Sequence, residues 1–338
     1  MPGHSQRPVV IAVDAMSGDR GPDVVVKAAQ AALQRHSHVS IVLTGPEPVL
    51  AALLGEIDLP RGRVSIEPAA EVVAMDDSPA RALRGKKNSS MRRALELVKA
   101  GTADACVSAG NTGALVAKSR YVLKTMPGID RPAIVSVIPA RAGHTCMLDL
   151  GANPDCSATH LLQFAVMGSV IAGDIFEIDS PRVGLLNIGV ESIKGTEVIQ
   201  KAGELLQGST LNYIGYVEGN DIFSGRADVV VSDGFTGNVA LKTIEGAYRE
   251  ILTVLREEFA SDPSAHSRLA ALGARLDPRR YNGASLVGLR GVVIKSHGNA
   301  DEFALANAID LAMLESEKGV PDQIGEQLAQ MFPDAEVS

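Results

Sequence analysis

The sequence predicts an α/β protein, a mostly parallel sheet between two layers of helices (three-layer αβα). Short β-branched runs, most of them ending near Gly, Asn or Asp, alternate with segments of helical periodicity. Several of the runs are apolar on both faces, as strands covered by helices on both sides are. Because ligands of such sheets bind beyond the carboxyl ends of strands, the strand-to-helix turns are where chemistry is expected.

The expected elements follow one another along all 338 residues, and we predict a single α/β domain over residues 1–338. Strands are predicted at Val9–Asp14, Val39–Leu43, Val64–Ile66, Ala105–Ser108, Ala133–Ile138, Thr145–Leu150, Val183–Ile188, Leu211–Val217, Val229–Ser232 and Val292–Lys295. Helices are predicted at Asp23–Arg35, Ser89–Ala100, Ala114–Thr125, Thr159–Ala172, Gly195–Leu206 and Gly237–Phe259.

Residues 244–276 interrupt this alternation with two amphipathic helical patterns and no strand signal. Asp262 before Pro263 is typical of a helix start. We therefore predict an inserted helical hairpin. Its apolar stripe indicates core packing or a dimer interface, or alternatively an acyl-chain groove or a membrane contact. The residues predicted for a membrane or acyl contact are Leu255, Phe259, Leu269 and Leu272.

Composition narrows the function classes. The 32 Lys and Arg against 40 Asp and Glu give a net charge of −8, which argues against a general nucleic-acid binder. Three cysteines without a CxxC spacing predict neither a disulfide framework nor a zinc cluster, and the histidine spacings predict no metal site. Without a signal peptide or an uninterrupted apolar span, a cytoplasmic protein is expected, with any membrane contact peripheral.

The turn after the first strand is a candidate anion site. Gly18 and Gly21 allow close backbone approach, and a helix opens at Pro22. Asp14 and Asp19 stand where a dinucleotide pyrophosphate would sit in a Rossmann site, which counts against that site. The alternative is a capped turn in which both carboxylates accept backbone hydrogen bonds.

Two further turns have small residues with Asn and Thr at a helix start. Residues 108–114 offer Asn111, Thr112 and Gly113, which predict a phosphate-sized cradle of N–H groups. Residues 233–242 repeat the pattern, and Lys242 lies one turn beyond Asn238. Together the two turns predict a bipartite site for one anionic group, although each alone could be a capped turn.

Residues 84–93 concentrate basic side chains in an acidic chain. Lys86 and Lys87 predict a loop that meets phosphate or an acidic partner, or else a solvated surface. Ser89 and Ser90 precede a helix and can cap it. Two isolated residues are further candidates for the site. Lys194 could neutralise an anion, and His297 follows the last predicted strand.

Six ordered sequence blocks resemble the PlsX-type phosphate acyltransferases of bacterial phospholipid synthesis. The similarity runs from about Val9 to Ala312, with Ser17 where Gly is expected. The blocks are AVDAMSGDRGPD, GKKNSSM, SAGNTGALVA, LLNIGVESIKG, YVEGNDIFSGRADVVVSDGFTGNVALKTIEG and GVVIKSHGNA.

The resemblance implies transfer of a fatty acyl group from acyl-[acyl-carrier-protein] to inorganic phosphate, without a cofactor. It also implies a homodimer with an isopropylmalate-dehydrogenase-like fold, and a membrane glycerol-phosphate acyltransferase of the PlsY type that takes the product. This chemistry agrees with the residues: phosphate is itself the nucleophile, and the sequence has neither a GxSxG elbow nor a P-loop.

Roles for single residues follow as hypotheses. Catalytic roles are predicted for Lys194, Asp233, Asn238 and His297. Phosphate contacts are predicted for Asp14, Gly18, Asp19, Asn111, Thr112, Gly113 and Lys242, and carrier-protein or loop contacts for Lys86, Lys87, Ser89 and Ser90.

Three alternatives remain open. The first is a phosphate acetyltransferase-like enzyme that uses acyl-coenzyme A. The second is a decarboxylating dehydrogenase, which requires that Asp14, Asp19 and Asp233 converge on a divalent metal. The third is a non-catalytic scaffold that binds carrier protein and membrane enzymes.

Overall fold

The computed structural model describes residues 8–60, 62–141, 143–275 and 277–331. One sheet lies between two helical layers, and its eleven strands have the order β3-β2-β1-β4-β11-β10-β5-β6-β9-β7-β8. The strands are β1 Val9–Asp14, β2 Val39–Gly45, β3 Val64–Pro68, β4 Ala105–Ser108, β5 Ala133–Ala140, β6 Gly143–Leu148, β7 Val183–Leu186, β8 Tyr213–Val217, β9 Val229–Val231, β10 Ala284–Val287 and β11 Val292–Lys295. The predicted three-layer α/β class is confirmed.

The helices fill the connections between strands. They are α1 Pro22–Arg35, α2 Glu47–Leu54, α3 Pro79–Gly85, α4 Ser90–Lys99, α5 Thr112–Leu123, α6 Ala158–Phe176, α7 Glu197–Gln207, α8 Gly234–Glu258, α9 Pro263–Arg275, α10 Glu302–Lys318 and α11 Val320–Met331. Helices α1, α10, α6, α7 and α11 contribute to the cores on one side of the sheet, and α4, α5 and α8 to the core on the other.

The sheet consists of two parallel halves that run in opposite directions. Strand β10 is antiparallel to both β11 and β5, and β5 is antiparallel to β6. The pairs on either side, from β3 to β11 and from β6 to β8, are parallel. The carboxyl ends of β1, β4 and β11 therefore lie at one edge, and those of β6, β7 and β9 at the opposite edge.

Helix α8 differs from the prediction in its start. It begins at Gly234, directly after β9, and continues unbroken to Glu258. The predicted hairpin of residues 244–276 is thus the outer part of α8 followed by α9, and Leu276 lies outside the described residues. None of the described side chains of α9 is fully buried, so this hairpin projects from the core.

Helix α6 is long and apolar enough to cross a membrane by composition, but two-thirds of the qualifying window (67%) is buried within the protein. Phe164, Ala165, Val166 and Met167 have no exposed surface. A capping box between Ser157 and His160 fixes its start. It is therefore a core helix that supports β6 and β9 from the face opposite α8.

Candidate active site

A cavity of about 260 Å³ lies on the sheet face between α8 and the start of α5. Its floor is formed by the three central strands β11, β10 and β5, which α8 crosses. One part of the wall is apolar, with Ile134 and Ile138 from β5, Leu241 and Ile244 from α8, and Tyr281 before β10. The polar lining residues are Thr112, Ser136, Asn238, Lys242, Glu245, Lys295, Ser296 and His297.

The polar part of the cavity is cationic. Lys242 Nζ lies 2.8 Å from Glu245 Oε2, and His297 Nε2 lies 3.4 Å from Glu245 Oε1. Lys295, the last residue of β11, lies on the same wall, and its ammonium donates to the carbonyl of Ser296. The charged and titratable lining of this end is therefore two lysines and a histidine against one carboxylate, Glu245, which leaves it suited to an anion.

Burial sets the charge states of this cluster. Burial and, to a smaller extent, the nearby charge of Lys242 together lower the pKa of Lys295 to about 8, although Asp19 opposes the shift. Burial alone would raise the pKa of Glu245, but hydrogen bonds from His297 and Lys242 outweigh it and bring this pKa to about 2. Near neutral pH, Glu245 is ionised and Lys295 is a cation close to its titration point.

The start of α5 brings Thr112 to the cavity. Thr112 lines the wall opposite α8, and the first N–H groups of a helix have no intrahelical acceptor. Asn111 is differently placed: its Oδ1 accepts from Ala114 N at 2.9 Å, and its Nδ2 donates to the carbonyls of Met75 and Asp77. The Asn111 amide is thus committed to protein partners and is not a free phosphate donor.

Gly113 has a packing role. A Cβ there would lie 2.8 Å from Pro79 Cγ, so glycine allows α3 to lie against the start of α5. Its backbone still belongs to the first turn of α5.

The turn after β1 supports the site from outside the cavity. Asp14 is buried and accepts from Ser108 Oγ at 2.7 Å, and burial raises its pKa. Gly18 has a φ of 90° and Asp19 N donates to Gly298 O at 2.7 Å. These contacts join the turn to residues 296–299, whereas neither Asp14 nor Gly18 lines the cavity.

The turn after β9 divides its residues between two places. Asn238 lines the cavity beside Gly151. Asp233 caps α8, accepting from Thr236 N at 2.8 Å and Thr236 Oγ1 at 2.7 Å, and it lines a separate cleft. Lys194 is exposed in the loop after β7 and does not line the cavity.

The carboxylates required for a metal-dependent dehydrogenase do not converge. Asp14 ends β1 and Asp233 follows β9, and these strands end at opposite edges of the sheet. Among the described residues, no group of three His, Cys, Asp or Glu side chains is arranged to hold a metal ion.

In the basic loop, only some of the predicted partner contacts are accessible. Lys87 is exposed, but Ser89 and Ser90 are buried. Ser89 Oγ donates to Lys86 O at 3.0 Å and makes no side-chain cap to α4. Ser89 therefore holds the loop, and neither buried serine presents a surface to a partner.

Sequence reasoning missed Lys295, Glu245 and the buried Lys118 on α5. A basic residue closing an apolar strand just before His297 is a signal that could have found Lys295. Glu245 lies three residues after Lys242, a spacing that places two helical side chains side by side. Lys118 sits in an ordinary helical pattern, and no sequence signal marks it.

Comparison with known proteins identifies the family of this chain. Residues 9–323 match the family model described as "Fatty acid synthesis protein". The chain belongs to this family. A phosphate acyltransferase of Methylococcus capsulatus is 54% identical over 332 residues, covering 95% of this chain and 97% of the relative. That of Alkalilimnicola ehrlichii is 56% identical over 334 residues, covering 96% and 97%.

Solved structures show the same fold at low identity. A phosphotransacetylase from Streptococcus pyogenes has a TM-score of 0.64 at 19% identity, covering 92% of this chain and 95% of the other. EutD phosphotransacetylase from Staphylococcus aureus has a TM-score of 0.59 at 18% identity, covering 92% and 94%.

The resemblance to PlsX-type phosphate acyltransferases is thus confirmed, and with it the prediction of an enzyme that transfers an acyl group to phosphate. The scaffold alternative is set aside by the same family membership.

Proposed function

We propose that this enzyme moves a fatty acyl group from acyl-[acyl-carrier-protein] to inorganic phosphate and supplies acyl phosphate for phospholipid synthesis. The observation that carries the proposal is that the cavity has a cationic end and an apolar wall. Lys242, Lys295 and His297 form a cationic end, and an apolar wall runs beside it from Ile134 to Ile138. An acyl thioester and phosphate together require both environments.

Phosphate binds between the start of α5 and the two lysines. The N–H groups and dipole of the helix attract an anion, and Thr112 adds a hydroxyl that has no hydrogen-bond partner among the described residues. Lys295 and Lys242 neutralise the phosphate charge. Asn238, at the opposite wall, is placed to donate to the thioester carbonyl oxygen.

In the reaction, a phosphate oxygen attacks the thioester carbonyl carbon, the new C–O bond forms, and the C–S bond breaks. The sulfur leaves as a thiolate, whose conjugate thiol has an ordinary pKa of about 8.5. Lys295, with a pKa of about 8, is matched to supply the proton. Positioning the two reactants contributes roughly 7–11 kcal/mol, and each oxyanion donor roughly 3–4 kcal/mol.

The remaining parts of the proposal concern the surroundings of the enzyme. It acts in the cytoplasm as a homodimer and touches the inner face of the membrane through the α8–α9 hairpin. There a membrane glycerol-phosphate acyltransferase receives the amphiphilic product. Phe259 and Leu272, 40% and 36% exposed, support a membrane contact at the hairpin.

The deciding experiment is a thiol-release assay with and without inorganic phosphate. It compares palmitoyl-[acyl-carrier-protein], palmitoyl-coenzyme A and acetyl-coenzyme A as donors. Phosphate-dependent release that is fastest with the carrier-protein substrate is the expected result. Faster release from acetyl-coenzyme A would replace this proposal with a phosphate acetyltransferase.

A further inference from the structure

A strongly basic surface lies on α4, α5 and the loop between α3 and α4. Between Arg81 and Lys124 the sequence has ten basic and two acidic residues, whereas the whole chain has a net charge of −8. The exposed cations Arg84, Lys87 and Arg120 form no ion pair with any described residue. Arg81, Arg92 and Arg93 are ion-paired, with Asp77, Glu96 and Glu67 respectively. The excess of positive charge that remains on an acidic protein indicates a surface suited to an anionic partner.

Tyr121 on α5 is the exposed aromatic residue of this surface, with 52% of its surface accessible. Two cations flank its ring: Arg92 Cζ is 5.5 Å and Lys124 Nζ 5.1 Å from the ring centroid. Tyrosine and arginine are the residues most enriched in the energetic centres of protein interfaces. The arrangement combines an aromatic anchor with a cationic rim.

The basic loop is tied to α5 by a buried lysine. Lys118, one turn before Tyr121 on α5, has no exposed surface, and its Nζ donates to Lys86 O at 2.7 Å. Ser89 Oγ donates to the same carbonyl, and Glu71 Oε2 accepts from Asn88 N at 2.7 Å. The loop therefore has a defined shape against α5, the helix that carries Tyr121.

This surface is connected to the active site through α5. Thr112 at the start of α5 lines the cavity, and Tyr121 lies nine residues further along the same helix, roughly 14 Å away at 1.5 Å per residue. A partner seated on Tyr121 would be separate from the cavity but within reach of it through an extended arm.

We propose that Arg84, Lys87, Arg92, Arg120, Tyr121 and Lys124 form the docking surface for an acidic protein that delivers the acyl group. The inference rests on the proposed function, under which that protein is the acyl-carrier protein and its thioester arm spans the distance to Thr112. Docking of this kind depends on charge complementarity and weakens as salt rises.

The test compares kcat/KM for palmitoyl-[acyl-carrier-protein] with kcat/KM for palmitoyl-pantetheine, which carries no protein. The ratio should fall about tenfold or more in Tyr121→Ala and in the double variant Lys87→Glu/Lys124→Glu. Lys201→Glu on α7, at the other side of the sheet, makes the same change of charge per site and should keep the ratio. The wild-type ratio should also decrease with salt.

Each contrary outcome has a distinct meaning. A wild-type ratio near one would refute the carrier-protein donor itself, and the docking surface with it. A high wild-type ratio that both variants retain would refute only the docking surface. If the variants retain the ratio but lose binding to phosphatidylglycerol vesicles, the surface contacts a membrane instead.

Discussion

The carbonyl oxygen of Asp149 lies so close to Gly237 that a Cβ on this glycine would be 1.9 Å from it. The first turn of α8 therefore rests directly on the end of β6. Asp149 is itself held by hydrogen bonds from Ile134 N at 2.8 Å and Asn153 N at 2.7 Å. This contact sets where α8 crosses the sheet, and so where Asn238 and Lys242 meet the cavity.

Replacing Gly237 by alanine should destabilise the protein by about 3 kcal/mol, because the backbone must move to relieve the overlap. Gly246 is the matched control, since it lies in the same helix and a Cβ there meets no atom within 4 Å. Gly246→Ala should be neutral or stabilising by up to about 1 kcal/mol. Urea denaturation of both variants measures the difference, and equal stabilities would contradict the role given to Asp149.

The same contact explains what the sequence could predict and what it could not. Strands such as β1 were predictable because they are apolar on both faces. The start of α8 was not, because Gly234-Phe235-Thr236-Gly237 has weak helix propensity, and packing against β6 overrides it. Strand β10 was missed because Val287 is the only β-branched residue in Ala284–Val287.

The residues of the candidate site were also predicted from the sequence only in part. Thr112, Asn238, Lys242 and His297 lie together in the cavity, as strand-end turns suggested. Asn111 does not present its amide there, because hydrogen bonds to Met75 and Asp77 decide its orientation. Such tertiary contacts leave no local signal in the chain.

Lys295 should make phosphate use depend on pH. Its pKa of about 8 means that the ammonium is charged below pH 8 and loses its charge above. The KM for phosphate should therefore rise as pH increases through about 8. Lys295→Met should raise this KM roughly tenfold or more at pH 7, since a charged hydrogen bond is worth about 1.5–3 kcal/mol. Lys295→Arg stays charged, so its KM for phosphate should not rise near pH 8. If the KM of this variant still rises there, the titration of another group causes the rise.

Substitutions of Thr112 and Asn111 should have different effects, the first on phosphate binding and the second on the stability of the protein. Thr112→Val removes a hydroxyl from the cavity wall and should raise the KM for phosphate severalfold with little change in melting temperature. Asn111→Ala removes a helix cap and should lower stability by about 1–2 kcal/mol. Initial-rate kinetics and thermal melts on both variants check this, and the reverse pattern would return Asn111 to the phosphate site.

Glu315 should lower the stability of the protein at alkaline pH. Burial on α10 raises its pKa to about 8, against a hydrogen bond from Ser285 Oγ at 2.8 Å. Between pH 4.5 and about 8, Glu315 is therefore protonated in the folded protein, whereas it is ionised in the unfolded chain, where its pKa has the ordinary value of 4.5. The contribution of Glu315 to the free energy of unfolding should be greatest below pH 4.5 and should decrease until about pH 8. Because one pKa unit corresponds to ~1.4 kcal/mol, the total decrease should be several kcal/mol.

Glu315→Gln removes that dependence and keeps an acceptor for Ser285. Its melting temperature relative to wild type should rise steadily from pH 5 to pH 8. Glu326→Gln on α11, an exposed position, is the control and should follow the wild type. Parallel curves for wild type and Glu315→Gln would show that Glu315 is already ionised at neutral pH.

The α8–α9 hairpin carries apolar side chains that are candidates for a membrane contact. Phe259 and Leu272 are exposed apolar side chains, whereas Leu255 and Leu269 are half-buried. An acyl phosphate product favours release beside a bilayer, because each CH₂ exposed to water is unfavourable by roughly 0.8 kcal/mol.

If the hairpin meets the membrane, Phe259→Glu/Leu272→Glu should abolish sedimentation with phosphatidylglycerol vesicles while the oligomeric state is kept. Ser267→Glu/Ala270→Glu places the same added charge on exposed positions of α9 and should still sediment. Light scattering on each variant reports the oligomer. The contrary outcome is that Phe259→Glu/Leu272→Glu dissociates into monomers and that the wild type does not sediment with vesicles. This apolar stripe would then be a subunit interface.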